Sequence, residues 1–246
     1  MSEHQHDHQF DEEYFHSARY ARVSFAKYSQ YWWSNRYYAT LVRKHGPQSG
    51  KVLEVGCGLG HLLEHLTPQY EVYGADINEW ALEQARRNVP AGHFSQVSVE
   101  DLSAYEDGQF DVVIAKHVVE HLPDPPKAIL EMGRVLRPGG LLLMGTPNTD
   151  SPMHARKLEK WVGYQDPTHI SLHSPAEWLS MLHAAGLQER KVWSDGFWDP
   201  PYVKVVPGFI QRLWYGWPGG LQAIMGWTWL PLSMGESLLV LADKAN

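Results

Sequence analysis

Short apolar runs alternate with amphipathic stretches along most of the chain. The apolar runs predict strands at residues 51–55, 70–75, 92–99, 110–115, 141–145, 187–194 and 237–242. The amphipathic stretches predict helices at residues 60–66, 79–88 and 125–136, and another between Ser174 and Gly186. Residues 110–115 are apolar enough to be buried on both faces of a parallel sheet. The pattern therefore predicts an α/β fold with a doubly wound, mostly parallel, seven-stranded sheet.

Several boundaries of these elements carry capping or turn residues. Asn78 and Asp124 are suited to be N-caps of the helices that follow them. Ser174 and Glu177 have the spacing of a capping box. Residues 137–140, Arg-Pro-Gly-Gly, predict a turn before the strand at 141–145.

A glycine-rich turn follows the first predicted strand. Glycines stand at positions 56, 58 and 60, and the helical pattern begins directly after them. A turn without side chains lets the backbone approach a ligand closely. His61 occupies the place where a dinucleotide-binding fingerprint needs its last glycine. Glu54 precedes the glycines, which suits a ligand that carries an ammonium group better than one that carries a pyrophosphate.

Asp76 ends the second predicted strand, 20 positions after Gly56. Nucleotide-binding α/β units place an acid there for the ribose hydroxyls, since a carboxylate can accept both hydrogen bonds. Alternatively, Asp76 only helps to start the next helix. Asn78 is the better N-cap, which leaves Asp76 available for a ligand.

Composition favours a soluble enzyme. The 246 residues carry a net charge of −7, so a surface that binds nucleic acid nonspecifically is not expected. The single cysteine, Cys57, excludes an internal disulfide and fits a reducing, cytoplasmic location. Residues 1–9 are polar and rich in histidine, with no apolar stretch typical of a signal peptide, and are expected to be a disordered tail.

The motifs together resemble class I S-adenosylmethionine (SAM)-dependent methyltransferases, in the branch of the ubiquinone-biosynthesis O-methyltransferases. The resemblance covers roughly residues 50–190 and includes E-V-G-C-G-L-G, F-D-V-V, E-H-L-x-D-P and L-R-P-G-G. It implies a Rossmann-like methyltransferase fold with SAM as cofactor. Ser98 departs from the family, which often has an aspartate near this position. The residues implied in cofactor binding are Glu54, Gly56, Cys57, Gly58, Gly60, Asp76, Ile77, Ser98, Val99, Glu100 and Lys116.

Two histidines are candidates for a catalytic base. His117 follows the fourth predicted strand and is expected to face the methyl group; alternatively it is an ordinary loop histidine. His169 could be a base oriented by Asp166. Alternatively, Asp166 and Thr168 only shape the loop around Pro167.

A divalent metal is a further hypothesis that the resemblance raises. The family pattern E-x-x-E-H helps to bind an ion in some members, and here His117, Glu120 and His121 match it, with a histidine in place of the first acid. His169 could join them. Many relatives with E-H at this place bind no metal, so we expect none here.

The flanks of the core are aromatic. Residues 10–48 resemble the N-terminal helices that cover the cofactor in this family. Residues 197–235 carry no charge between Arg212 and Glu236, but repeated glycines and prolines are expected to interrupt a membrane span. We expect an insertion before the final strand, 236–246, that caps an aromatic, sugar or lipid-linked acceptor. A surface segment with interfacial tryptophans that touches a membrane is the alternative.

The sequence thus predicts one domain, residues 10–246, whose SAM-binding core is 49–196. The predicted function is methyl transfer by direct displacement to a small-molecule acceptor, at oxygen. Two alternatives stay open from the sequence: a nucleotide-dependent oxidoreductase on the same architecture, and a non-catalytic SAM-binding partner protein.

Overall fold

Seven strands form one sheet in the computed structural model, which describes residues 24–245. Their order is β3-β2-β1-β4-β5-β7-β6. The strands are β1 Lys51–Val55, β2 Glu71–Asp76, β3 His93–Gln96, β4 Phe110–Lys116, β5 Leu136–Pro147, β6 Leu187–Ser194 and β7 Ser237–Lys244. Only β7 runs antiparallel to its neighbours, β5 and β6, among the paired strands. The predicted α/β class and the mostly parallel seven-stranded sheet are confirmed.

Eight α-helices connect or flank the strands within residues 24–245. They are α1 Gln30–His45, α2 His61–Glu64, α3 Glu79–Asn88, α4 Pro125–Val135, α5 Pro152–Lys157, α6 Val162–Gln165, α7 Pro175–Ala184 and α8 Gly208–Met225. The predicted caps are present: Asn78 accepts from the Ala81 amide at 3.1 Å, and Ser174 and Glu177 form a capping box. Asp124 accepts from the amide of Lys127 at 3.2 Å.

The sheet is buried on both faces because helices cover it on each side. On one face, Val113 of β4 packs in a core with Ile129 and with Trp178 of α7. On the other face, Val112 packs in a second core with residues of α1, α2 and α3, and with Trp193. Successive β4 residues therefore need apolar side chains on both sides, which explains the continuous apolar run.

Several predicted bounds differ from the structure. Helix α2 ends at Glu64, two residues before the predicted end, and β3 spans four residues instead of eight. The predicted turn at 137–140 is part of β5. Phe110 pairs with Leu136 while Val112 pairs with Leu141, so residues 137–140 bulge within the strand.

The glycines and the proline at residues 216–220 do not interrupt helix α8, although Gly226 ends it as expected. The helix continues through Gly216, Pro218, Gly219 and Gly220 without a break. Proline removes the hydrogen bond to the carbonyl of Trp214, one turn earlier. Trp214 is exposed, so water can satisfy that carbonyl. The histidine-rich tail and the first aromatic residues, Tyr14, Phe15 and Tyr20, lie outside the described residues.

The order of the strands reverses between β1 and β4, which are neighbours at the middle of the sheet. The chain runs outward from this point in both directions. Ligands of open α/β sheets bind outside the carboxyl ends of the strands at such a point. Glu54, Asp76 and His117 all stand at or directly after these strand ends.

Candidate functional site

The glycine turn after β1 has a backbone that favours glycine. Gly56, Gly58 and Gly60 all have positive φ, at 64°, 49° and 76°. A Cβ on Gly56 would lie 2.5 Å from Cγ2 of Val118. The Cys57 amide donates to the carbonyl of Ala75 at 3.1 Å, which ties the turn to β2. The turn is therefore rigid and open to a ligand at its backbone.

Glu54 and Lys116 place opposite charges side by side at the ends of β1 and β4. Glu54 is buried, and its Oε2 has no hydrogen-bond partner among residues 24–245. Burial raises the pKa of Glu54, and the nearby Lys116 opposes that rise. Burial likewise lowers the pKa of Lys116, against the attraction of Glu54. The pair suits a ligand with both an ammonium and a carboxylate group, and the orphan oxygen can accept from the ammonium.

Asp76 holds the backbone around the turn. Its Oδ2 accepts from the amide of Gly58 at 2.8 Å, and its Oδ1 accepts from the amide of Asn78 at 2.9 Å. Asn78 caps α3 through its own side chain, as predicted. Each carboxylate oxygen can accept a second hydrogen bond, so both can still receive a hydroxyl group.

The segment after β3 connects to the N-terminus of α4. Val99 is buried, and Oγ of Ser98 accepts from the amide of Glu100 at 3.2 Å. Oε1 of Glu100 accepts from the amide of Asp124 at 2.6 Å. Ile77, after β2, accepts at its carbonyl from the side chain of Gln96. The roles of Ser98, Val99, Glu100 and Ile77 in cofactor binding stay predictions.

His117 is held by a buried carboxylate. Its backbone is left-handed, with φ 53°, and its amide donates to the carbonyl of Gly145 at 2.8 Å. Its Nδ1 lies 3.1 Å from Oε1 of Glu120, which is fully buried. Thr146 Oγ1 donates to the other oxygen of Glu120 at 3.2 Å. Burial alone would raise the pKa of Glu120, but the hydrogen bond and charge of His117 lower it.

His169 lies deeper than His117. Its side chain is 9% exposed, against 35% for His117. Its Nδ1 lies 2.7 Å from the carbonyl of Gly163, and its Nε2 lies 4.0 Å from Oδ2 of Asp166, beyond hydrogen-bonding distance. Oδ1 of Asp166 instead accepts from the amide of Thr168 at 3.0 Å. These contacts favour the alternative in which Asp166 and Thr168 shape the loop.

Glu120, His121 and His169 form a group that could hold a metal ion, with ligand atoms within 4.8 Å of one another. His117 contacts Glu120 but is not part of that group. Nδ1 of His121 lies 2.9 Å from Oγ1 of Thr168, and both oxygens of Glu120 are hydrogen-bonded. These hydrogen bonds account for the positions of Glu120 and His121 without an ion, and the expected absence of a metal stays a prediction.

Two residues near the site were not identified from the sequence. Asn35 of α1 is buried and accepts from Nζ of Lys116. Asp195, directly after β6, accepts from the amide of Ser237 at 3.0 Å and from Nε1 of Trp198 at 2.8 Å. Burial raises the pKa of Asp195, and its charge acts on His117 and Lys116. No local pattern marks either residue, because Lys116 is distant in sequence from Asn35 and Ser237 is distant from Asp195.

Comparison with known proteins identifies relatives of this chain. A family model described as a methyltransferase domain matches residues 25–192. The ubiquinone biosynthesis O-methyltransferase of Thiobacillus denitrificans is 31% identical over 176 residues, which cover 67% of this chain and 75% of that protein. The 2-methyl-6-phytyl-1,4-hydroquinone methyltransferase of Synechocystis is 29% identical over 185 residues, 69% of this chain and 55% of that protein.

Solved structures share the fold. The YcgJ protein of Bacillus subtilis aligns with a TM-score of 0.61 at 20% identity, over 87% of this chain and 99% of that one. A SAM-dependent methyltransferase of Thermotoga maritima, described as a possible histamine N-methyltransferase, aligns with a TM-score of 0.60 at 21% identity, over 87% and 93% of the two chains.

Proposed function

Because the chain belongs to the class I SAM-dependent methyltransferase family, we propose that it methylates a phenolic oxygen of a small hydroquinone-type acceptor, with His117 as the general base. The family establishes an enzyme that uses SAM. It leaves the two alternatives from the sequence, an oxidoreductase and a non-catalytic partner protein, without support. The acceptor and the atom methylated are the proposal.

The residues at or after the carboxyl ends of β1, β2, β3 and β4 fit SAM. Glu54 and Lys116 would hold its amino acid end, since Oε2 of Glu54 is buried without a partner in the described chain. Asp76 would hold the ribose, and the backbone around Val99 would contact the adenine. SAM supplies a methyl group activated by a sulfonium. The protein must bring the acceptor into line with that group and exclude water.

The pairing of His117 with Glu120 is the observation that carries the choice of oxygen. An ionised Glu120 accepts from Nδ1–H of His117, which leaves Nε2 of the imidazole free to take a proton. A buried carboxylate also stabilises the imidazolium that then forms. A phenol has a pKa of about 10, so it is mostly protonated at neutral pH and benefits from a base.

The relatives support an aromatic acceptor. One is named for ubiquinone biosynthesis and another for a phytyl hydroquinone. A hydroquinone offers the hydroxyl group that His117 would deprotonate. Asp195, directly after β6, places a second carboxylate near His117.

Methyl-labelled SAM incubated with a panel of catechols and hydroquinones tests this proposal. NMR of the product should show the label as an O-methyl group, and a label on carbon or nitrogen would contradict the choice of oxygen. The variant His117→Ala should lose product formation. His93→Ala, at an exposed histidine of β3, is the matched control and should keep it.

A further inference from the structure

Helix α8 exposes an apolar face within the described residues. Eight of its large apolar side chains are between 37 and 75% exposed. They are Phe209, Ile210, Leu213, Trp214, Trp217, Leu221, Ile224 and Met225. At 3.6 residues per turn they fall on one face of about 160°. A surface helix of a globular protein ordinarily has the opposite arrangement.

The inward side of α8 is polar, and glutamines fasten it to the protein. Oε1 of Gln211 accepts from the amide of Tyr202 at 2.5 Å, and its Nε2 donates to the carbonyl of Val203 at 2.7 Å. Nε2 of Gln222 donates to the carbonyl of Ser194 at 2.8 Å, and its Oε1 accepts from the amide of Leu230 at 3.0 Å. Both glutamines are buried. The helix is thus held with its apolar side outward.

The surroundings of this face suit an anionic lipid surface. The whole chain has a net charge of −7, yet there is no acidic residue between Asp199 and Glu236. The cations of this stretch, Lys204 and Arg212, are both exposed. Anionic headgroups attract such cations, whereas the negatively charged remainder of the chain would repel the headgroups.

The kind of apolar residue points to the same occupant. Four tryptophans of the insertion are exposed, Trp214, Trp217, Trp227 and Trp229. Tryptophan favours the headgroup level of a bilayer. No helix among residues 24–245 is long and apolar enough to cross a membrane. An apolar cleft of about 220 Å³ opens beside Ile210 and Trp214 and extends the face toward Val203 and Val206.

We propose that the outer face of α8 lies in the headgroup region of an anionic membrane, parallel to its surface. The helix is roughly 27 Å long and inserts its apolar side, while Lys204 and Arg212 contact lipid phosphates. This inference concerns binding to lipid alone and does not depend on the acceptor proposed above. Sedimentation with vesicles measures it without substrate.

The full chain should sediment with sucrose-loaded vesicles of phosphatidylcholine and phosphatidylglycerol, and more weakly with phosphatidylcholine alone. The variant Leu213→Ser should bind about tenfold more weakly, because it removes apolar area from the lipid. Leu130→Ser on α4 is the matched control, since Leu130 is also exposed, and it should bind as the parent does. Unchanged SAM affinity in both variants shows that they are folded.

Three results would overturn the inference. The first is a parent chain that fails to sediment with the anionic vesicles, and the second is a Leu213→Ser variant that sediments equally well. The third is a parent that forms dimers in sedimentation velocity, with Leu213→Ser monomeric, because a second copy would then cover the face.

Discussion

Replacing Asp76 with asparagine separates the two tasks that this carboxylate has. The structure shows the first: its oxygens accept from the amides of Gly58 and Asn78 at 2.8 and 2.9 Å. Asparagine has the same shape but only one acceptor atom, so one amide loses its partner. Leaving such a donor unsatisfied reduces the free energy of unfolding by about 1–3 kcal/mol.

That loss should leave the variant folded. Proteins of ordinary stability have roughly 5–15 kcal/mol in total. Burial also raises the pKa of Asp76, so removing the charge relieves a desolvation penalty and offsets part of the loss. Alanine would remove both acceptors and reduce stability by roughly 2–6 kcal/mol, which makes it the poorer variant. Urea titration followed by circular dichroism measures the difference.

The second task is the proposed contact with the ribose. Hydrogen bonds to a charged group contribute about 1.5–3 kcal/mol, so Asp76→Asn should bind S-adenosylhomocysteine roughly 10- to 100-fold more weakly. Calorimetry with the 2′-deoxy analogue isolates the contact. The parent should prefer the natural ligand, and the variant should lose most of that preference. Asp107→Asn, at an exposed acid, is the control. An equal preference in variant and parent would refute the ribose assignment.

Three further predictions concern ionisable groups. His117→Ala should lower turnover by about 100- to 10,000-fold at nearly constant SAM affinity. His169→Ala should lower turnover less. Full activity after exhaustive chelation would show that no metal is needed. SAM affinity should rise as the pH rises toward about 8, because burial raises the pKa of Glu54 to about 8 and the ammonium binds its ionised form. Calorimetry of Glu54→Gln should show a flatter profile. Burial raises the pKa of Glu236 from 4.5 to about 7. The free energy of unfolding should therefore fall by up to about 3 kcal/mol as the pH rises between these two values. Urea titrations of Glu236→Gln should lack that loss.

Local signals predicted the sheet and its helix caps well. Ser174 and Asn78 act on amides only three residues away, so the sequence contains the whole interaction. The position of Asp76 could also be predicted locally. Asp76 ends β2, and the glycine turn follows β1, the strand that pairs with β2.

Contacts between distant segments could not be predicted in this way. Asn35 and Lys116 are 81 positions apart, and nothing around either residue indicates the other. Pro218 is the opposite case: its local signal predicts an interruption, but tertiary contacts hold the helix on both sides of it. The glutamines at 211 and 222 hold both ends of α8, and the helix continues through the proline.

The antiparallel pairing of β6 with β7 brings the two ends of the insertion together. Oγ of Ser194, the last residue of β6, donates to the carbonyl of Ser237, the first residue of β7, at 2.7 Å. A short hairpin turn could join these residues and leave the sheet complete, since loop length has little influence on closure. The segment between them can therefore differ in length or sequence without changing the sheet whose strand ends hold the cofactor.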